Sequence, residues 1–303
     1  MKIIFFGTPF FAKEILSFLL EKNVNILAVV TQQGKKGETE VKKVAEKYSL
    51  KIYQPKNISS DEFINEIKSY NADLFLVVAY GKIFKKKLLD VPSLDCINVH
   101  ASLLPLYRGA APIQRVLLNG EKKTGVTIIK MVEELDTGDI ILQKKILIEE
   151  GMDFGLLEKA LLDIAKPMLL EVLEMYKNKN VKKITQDNSK ATYAPSIKKN
   201  EFFINWNDDA LNIYNKIKAF SPKPGARTIV EINKKKFILK ILNAQVLEGI
   251  SDIPSKILQF EKDSFIVACK KDGLKIISLQ LEGKKKMEAE SFIRGMKKKI
   301  VLK

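Results

Sequence analysis

The sequence predicts an α/β chain in two parts, an open, mostly parallel sheet domain covered by helices and then a small β-rich domain. Three observations predict it. Short, continuously apolar runs alternate with amphipathic helical runs from the first residues onward. After Thr124 this rhythm gives way to two longer strand-like runs and one long helix. Beyond a weakly periodic stretch ending at Lys199, short strands spaced by turn residues take over. A length of 303 residues with 46% hydrophobic content supplies more core than one average domain needs.

Taken in order, Lys2 to Phe6 reads as a strand, Phe11 to Lys22 as a helix and Val24 to Val30 as a second strand. Lys43 to Tyr48 is helical, Lys51 to Tyr53 a strand, Asp61 to Tyr70 a helix, and Asp73 to Tyr80 a strongly apolar strand. Strands without an exposed polar face, separated by helices, belong to a parallel sheet covered on both sides. Ligands in such sheets bind at the carboxyl ends of the strands. Gly125 to Val132 and Asp139 to Ile148 are the two late runs, and a helix through Leu156 to Tyr176 closes the domain, placed at residues 1–180. Residues 181–199 read as an extended linker, and a second domain covers 200–303. It opens with a helix from Asp208 to Phe220, stopped by Ser221-Pro-Lys-Pro-Gly225. Five short strands follow, near Arg227, Phe237, Ile257, Phe265 and Ile276, which describe a small barrel with an OB-like fold as one candidate.

Charge and cysteine usage narrow the function. Lys+Arg 52 against Asp+Glu 36 gives a formal net charge of +16, and residues 201–303 hold 21 of the basic and 12 of the acidic side chains. That excess favours a polyanionic partner such as nucleic acid. No leader precedes the first strand and no apolar stretch approaches the ~20 residues that span a bilayer, so a cytoplasmic protein without a membrane is expected. Cys96 and Cys269 lie far apart in apolar runs and read as buried and reduced. One histidine and no paired cysteines disfavour metal chemistry. Gly7-Thr8-Pro9 follows the first strand without GxGxxG, and no GxxxxGK[ST] occurs, which disfavours nucleotide enzymes.

With one histidine in the chain, imidazole chemistry belongs to His100. In Cys96-Ile-Asn-Val-His100 the period of two puts Asn98 and His100 on one face and Ile97 and Val99 on the other. A lone histidine among apolar residues is more often a hydrogen-bonded core residue. The asparagine two positions away changes the reading, because Asn can donate to a developing oxyanion while His donates or moves a proton. The segment Ala101 to Pro112 is too irregular for a regular element and lies where α/β sites are built. A second polar cluster, Glu133 to Asp139, joins the two late runs. As a bland feature it is a solvated hairpin in which Gly138 supplies an unusual backbone angle. As a functional one it places Asp136 beside His100, where a carboxylate orients the ring and stabilises its charged form.

Asn98-Val-His100, Ser102-Leu-Leu-Pro105, Arg108-Gly-Ala-Ala-Pro-Ile-Gln114 and Leu135-Asp-Thr-Gly-Asp139 together resemble the formyltetrahydrofolate-dependent transferases. Thr192-Tyr-Ala-Pro195, Ile204-Asn-Trp206, Pro224-Gly-Ala226 and Phe292-Ile-Arg-Gly295 extend the resemblance to the methionyl-tRNA formyltransferase family over essentially the whole chain. The resemblance implies a Rossmann-like formyl-transfer domain, a linker and an OB-like domain that helps hold tRNA. It implies Asn98, His100 and Asp136 as catalytic residues and 10-formyltetrahydrofolate as the formyl donor, with no metal. The folate segment falls on Ser102, Leu103, Leu104 and Pro105, and Val78, Ala79, Tyr80 and Gly81 line the pterin pocket chiefly through backbone groups. The partner implied is initiator methionyl-tRNA, met by a monomer, with Lys35, Lys36, Arg108, Lys234 and Lys284 as candidate tRNA contacts. Further lysine triplets at 284–286 and 297–299 add to that positive surface.

Two departures stand out. The family's longer proline- and arginine-containing loop after Thr31-Gln32 is reduced here to Gln33 through Glu40, and Asn205 stands where the family commonly has Asp. The short loop favours a rival reading, a formyl transferase or hydrolase acting on a sugar nucleotide, a small amine or folate itself. The basic second domain favours tRNA. A nucleic-acid-binding module without catalysis leaves Asn98, His100 and Asp136 unexplained.

Overall fold

The computed structural model describes residues 1–34, 39–294 and 300–302. In the first part the elements are β1 (Ile3–Gly7), α1 (Phe10–Glu21), β2 (Ile26–Val30), α2 (Glu40–Lys47), β3 (Lys51–Tyr53), α3 (Asp61–Lys68), β4 (Leu74–Val78), α4 (Lys86–Leu89), β5 (Asp95–His100), α5 (Pro112–Leu118), β6 (Lys123–Lys130), β7 (Ile140–Leu147) and α6 (Phe154–Lys177). Strand order is β3-β2-β1-β4-β5-β6-β7. Strands β1 to β5 pair in parallel, while β6 and β7 form an antiparallel hairpin at one edge. Every residue of β1 and β4 is buried, which is why both run continuously apolar in sequence.

The chain steps outward from β1 to β3 and then returns to start β4 on the other side of β1, so the order reverses between β1 and β4. The carboxyl ends of β1, β4 and β5 lie side by side there, at Gly7, Val78 and Val99, and such a switch point is where open α/β sheets bind ligands. Local chemistry sets the helices. Thr39 caps α2 by accepting from the Lys42 amide, and Ser60 caps α3 by accepting from Phe63. Asp61 and Glu62 in the first turn of α3 and Lys68 in its last complement the helix dipole. At the amino end of β5, Asp95 accepts from Tyr176 at 2.8 Å and Lys183 at 2.7 Å and pairs with Lys130 at 2.9 Å, tying α6 and the following segment to the sheet.

The chain folds into two compact units. The first comprises Met1–Pro112, Lys123–Leu147 and Glu158–Pro195; the second comprises Ile113–Lys122, Ile148–Leu157 and Ser196–Lys303. The stretch read as an extended linker groups with the first unit as far as Pro195. Ile184 pairs with Ile140, and Tyr193 with Arg108, through isolated bridges.

In the second unit, α7 (Ala210–Phe220) precedes β8 (Ala226–Ile232), β9 (Lys235–Leu247), β10 (Ile257–Phe260), β11 (Phe265–Ala268), β12 (Gly273–Leu281), β13 (Met287–Glu288), α8 (Ala289–Arg294) and β14 (Ile300–Leu302). The order β10-β11-β12-β9-β8-β14, with β13 on β12, makes an antiparallel, nearly closed barrel consistent with an OB-like fold. Among the described residues there are seven strands instead of the five expected, because β13 and β14 span two and three residues and leave no periodicity to read. Trp206 anchors the barrel through an indole N–H donated to Thr228 at 3.0 Å. Helix α7 ends at Ser221, whose hydroxyl donates to the Leu242 carbonyl.

Candidate active site

Asn98 and His100 leave the end of β5 on the same side of the sheet, as the period of two requires. Asn98 is registered with Val77 of β4, and His100 with Thr127 of β6. The His100 ring is buried, and Nε2 lies 2.9 Å from the Tyr107 carbonyl. A carbonyl only accepts, so Nε2 carries the hydrogen and Nδ1 is the nitrogen whose protonation can change. Nδ1 faces Asp136 Oδ2 at 3.6 Å, with the two side chains only 6% and 7% exposed. The other carboxylate oxygen, Oδ1, accepts from Asn98 Nδ2 at 3.4 Å. The three residues thus converge from β5 and the β6–β7 turn, with an amide donor and an imidazole on either side of one carboxylate.

Asp136 sits in an unusual backbone. Its φ is 55°, a left-handed conformation that costs a residue with a Cβ roughly 1–2 kcal/mol, less for Asp. From sequence, Gly138 was the residue expected to supply the unusual angle. The structure assigns it to Asp136, and Gly138 is required for a different reason. A Cβ at Gly138 would lie 1.8 Å from the Lys130 carbonyl oxygen, so only glycine lets the turn close against β6. The carboxylate is fixed from a second side by the Gly109 amide, which donates to Oδ2 at 2.8 Å. Gly109 has φ 127°, and a Cβ there would meet the Ala194 carbonyl at 2.6 Å, so this approach also requires glycine.

The expected folate segment, Ser102 to Pro105, is held firmly. Ser102 is fully buried and donates to the Leu106 carbonyl at 2.6 Å. The Leu104 amide donates to Thr127 at 3.1 Å and its carbonyl accepts from Gln143 at 2.9 Å. The carbonyls of Ser102, Leu103 and Pro105 accept from Thr127, Leu106 and Thr192. Along Val78 to Gly81 the side chains of Val78 and Tyr80 are buried, while Ala79 and Gly81 are exposed and both have positive φ. Tyr80 packs against Phe6 and Phe84, and its carbonyl accepts from the Gln32 side chain. This segment therefore offers solvent its main chain at Ala79 and Gly81. Gln32 also donates its amide to Thr8 at 3.2 Å and accepts from Gln54 at 3.0 Å, so the base of the short loop is pinned. Thr31 and Thr39 share a hydroxyl hydrogen bond of 3.2 Å across that base.

The candidate tRNA contacts are scattered. Lys234 and Lys284 are exposed in turns of the second unit. Lys35, Lys36 and the triplet at 297–299 lie outside the described residues. Arg108 departs from expectation. It is 3% exposed, with its guanidinium bonded to Gln186 Oε1 at 3.2 and 2.7 Å and to Asn188 Oδ1 at 2.7 Å. A buried guanidinium whose Nε and Nη2 are bonded to Gln186 and Asn188 ties the loop to the following segment and is not placed to meet a phosphate.

Sequence reasoning missed three groups: the Tyr107 carbonyl, the Gly109 amide and Gln186. The first two are main-chain groups in an irregular loop. Gln186 lay in a polar stretch without periodicity. Both cysteines are buried and free, and burial raises both thiols, that of Cys269 to about 12, which leaves no activated thiolate. Among the described residues no group of His, Cys, Asp and Glu is arranged to hold a metal ion, and no helix is long and apolar enough to cross a membrane.

Comparison with known proteins identifies the family. Residues 1–173 match the formyl transferase family, and residues 196–297 its C-terminal domain. The methionyl-tRNA formyltransferase of Protochlamydia amoebophila is 43% identical over 305 residues, covering 98% of this chain and 96% of that protein. The enzyme of the same name from Thermotoga maritima is 42% identical over 297 residues, covering 95% and 93%. Among solved structures, HypX from Aquifex aeolicus in complex with tetrahydrofolic acid superposes with a TM-score of 0.67 at 16% identity. That match covers 97% of this chain and 47% of HypX, so the chain spans about half of HypX and the likeness is one of fold. At this identity and coverage of its curated relatives, the chain belongs to the methionyl-tRNA formyltransferase family.

Proposed function

We propose that the protein transfers the formyl group of 10-formyltetrahydrofolate to the α-amine of methionyl initiator tRNA, with Asn98, His100 and Asp136 as catalytic residues. The observation that supports this most is the convergence of an amide donor and an imidazole on one buried carboxylate at a strand end, in a chain of this family. The amine lone pair attacks the formyl carbon and the carbonyl oxygen takes up negative charge. Asn98 Nδ2 and the Nδ1–H of His100 donate to that oxygen. Asp136 stabilises the charged ring and, through water, takes the proton released by the amine. Collapse of the tetrahedral intermediate breaks the bond from carbon to the folate nitrogen, which leaves with that proton. The products are formylmethionyl-tRNA and tetrahydrofolate.

The donor is read as lying along Ser102 to Pro105, with its pterin against the main chain of Val78 to Gly81. The exposed Ala79 and Gly81 support this, as does a segment 102–105 already made rigid by its own hydrogen bonds. Lys234 and Lys284 are read as contacts to tRNA phosphate, with Lys35 and Lys36 at the acceptor end, and the protein as a cytoplasmic monomer that uses no metal.

Asn98→Ala tests the chemistry. Loss of one oxyanion donor lowers turnover ~100- to 1000-fold. KM for folate and for charged tRNA should change little, since Asn98 is assigned to the transition state. Turnover close to that of the parent enzyme would remove Asn98 from the mechanism.

A further inference from the structure

We infer that Gln186 is a positioning residue for Asp136, and that the segment joining the two parts of the chain is thereby a working part of the active site. The inference rests on the reading of Asp136 as the partner of His100. Gln186 is 5% exposed, and its amide is used at both ends. Its Nε2 donates to the Asp136 carbonyl at 2.8 Å and to the Gly138 carbonyl at 2.7 Å, one amide spanning the turn. Its Oε1 accepts from Arg108 Nε and Nη2.

Two supports of the carboxylate therefore meet at one side chain. The first is the Asp136 main chain, whose carbonyl accepts from the same donor as that of Gly138. The second is Gly109, the residue after Arg108, whose amide holds Oδ2 at 2.8 Å. Gln186 is itself held in place on both flanks. Ile184 exchanges two main-chain hydrogen bonds with Ile140, at 2.8 and 2.9 Å, and Asn188 accepts from Arg108 at 2.7 Å. Gln186→Glu separates these functions, because it keeps the shape and the acceptor toward Arg108 but removes the two N–H groups and turns a second oxygen toward two carbonyls.

The test pairs kinetics with a spectroscopic reading that a purely structural role would leave alone. His100 is the only histidine, so its Cε1–H gives a single imidazole signal of that kind by NMR. Displacing Asp136 by about 1 Å from a reacting geometry lowers rate on the order of 100-fold. Gln186→Glu should lower kcat ~10- to 100-fold per active site, leave KM for both substrates within about 3-fold, and move the His100 signal in the direction taken in Asp136→Asn. Gln186→Asn, which keeps an amide one carbon short, should give a smaller shift of the same sign, and it carries the test if the glutamate variant does not fold. A folded variant with parental kcat and an unmoved His100 signal would overturn the inference. So would a loss of activity accounted for wholly by fewer folded molecules, with the signal of the rest unchanged. Failure of the parent enzyme to formylate charged tRNA is a separate outcome. It would remove the proposed function, whereas the His100 signal reports the Gln186 contact by itself.

Discussion

Gly138→Ala is the substitution for which the structure dictates the largest consequence from the smallest change. A Cβ there falls 1.8 Å from the Lys130 carbonyl oxygen and 3.0 Å from its carbon, and both of those atoms are backbone. Reaching ordinary contact requires a retreat of about 1.6 Å by one side of the hairpin, since no side chain can rotate aside. Overpacking of this kind costs ~1–3 kcal/mol, and 2 kcal/mol corresponds to a Tm lower by about 4–8 °C in a unit of this size. The displaced turn carries Asp136 two residues before Gly138. A misplacement of about 1 Å at a reacting group lowers the rate on the order of 100-fold, so activity should fall far more than stability. Thermal melting by circular dichroism, run beside formyl transfer at a temperature where both proteins are folded, reads the two effects separately. Gly151→Ala is the control. Its φ is 76° with nothing within 4 Å, so it adds backbone strain of roughly 1 kcal/mol without a clash. A Gly138→Ala enzyme as stable and active as the Gly151→Ala protein would refute the argument from close approach.

Three further predictions concern charge. Burial alone would raise the Asp95 carboxyl, but hydrogen bonds from Lys183, Lys130 and Tyr176 outweigh it and hold the group below the usual carboxylate range. The stability it contributes is therefore present above the unfolded-state value near ~3.9 and is lost as pH falls through the lower folded-state value. Asp95→Asn should lower stability by about 2 kcal/mol at pH 7, less than a fully buried pair because both ammonium groups reach water, and the deficit should shrink in acid denaturation curves below about pH 4. Glu158 has the opposite sign, raised to about 7 by burial and then by the charge of Glu40. Its contribution is fully present below the unfolded-state value and is lost as pH rises through about 7, so Glu158→Gln should melt higher than the parent at pH 8 and alike at pH 4. Charge reversal at Lys234 and Lys284 should weaken tRNA binding and flatten its dependence on log salt by about 1 to 2, measured by filter binding, with kcat at saturating tRNA unchanged.

How much of this was legible in the sequence depends on the range over which each feature is determined. The parallel core was legible because strands buried on both faces need a continuous apolar run, as in Leu74 to Val78. Asn98 and His100 were legible as a pair because strand periodicity fixes side-chain direction over two residues. Asp136 was legible only as one of two readings of its turn, a solvated hairpin or a partner for His100, and the resemblance favoured the second, since Asp136 and His100 meet only once β6 and β7 pair. Gln186 was not legible at all, because a side-chain amide that bonds main-chain carbonyls 48 and 50 residues away leaves no local pattern. Arg108 misled for the same reason. It was a candidate tRNA contact by resemblance, and only the packing of Gln186 and Asn188 around its guanidinium removes it from that surface. The strand pairing of Ile300–Leu302 with β8 escaped because three residues carry no period.

The central claim is that these residues formylate an aminoacylated tRNA. It is met most directly by incubating the protein with 10-formyltetrahydrofolate and charged initiator methionyl-tRNA, beside free methionine, uncharged tRNA and a reaction without acceptor. Formylmethionyl-tRNA formed in the first reaction alone is the predicted result. Folate turnover of similar rate in all four, without formylated tRNA, would contradict it and assign Asn98, His100 and Asp136 to hydrolysis.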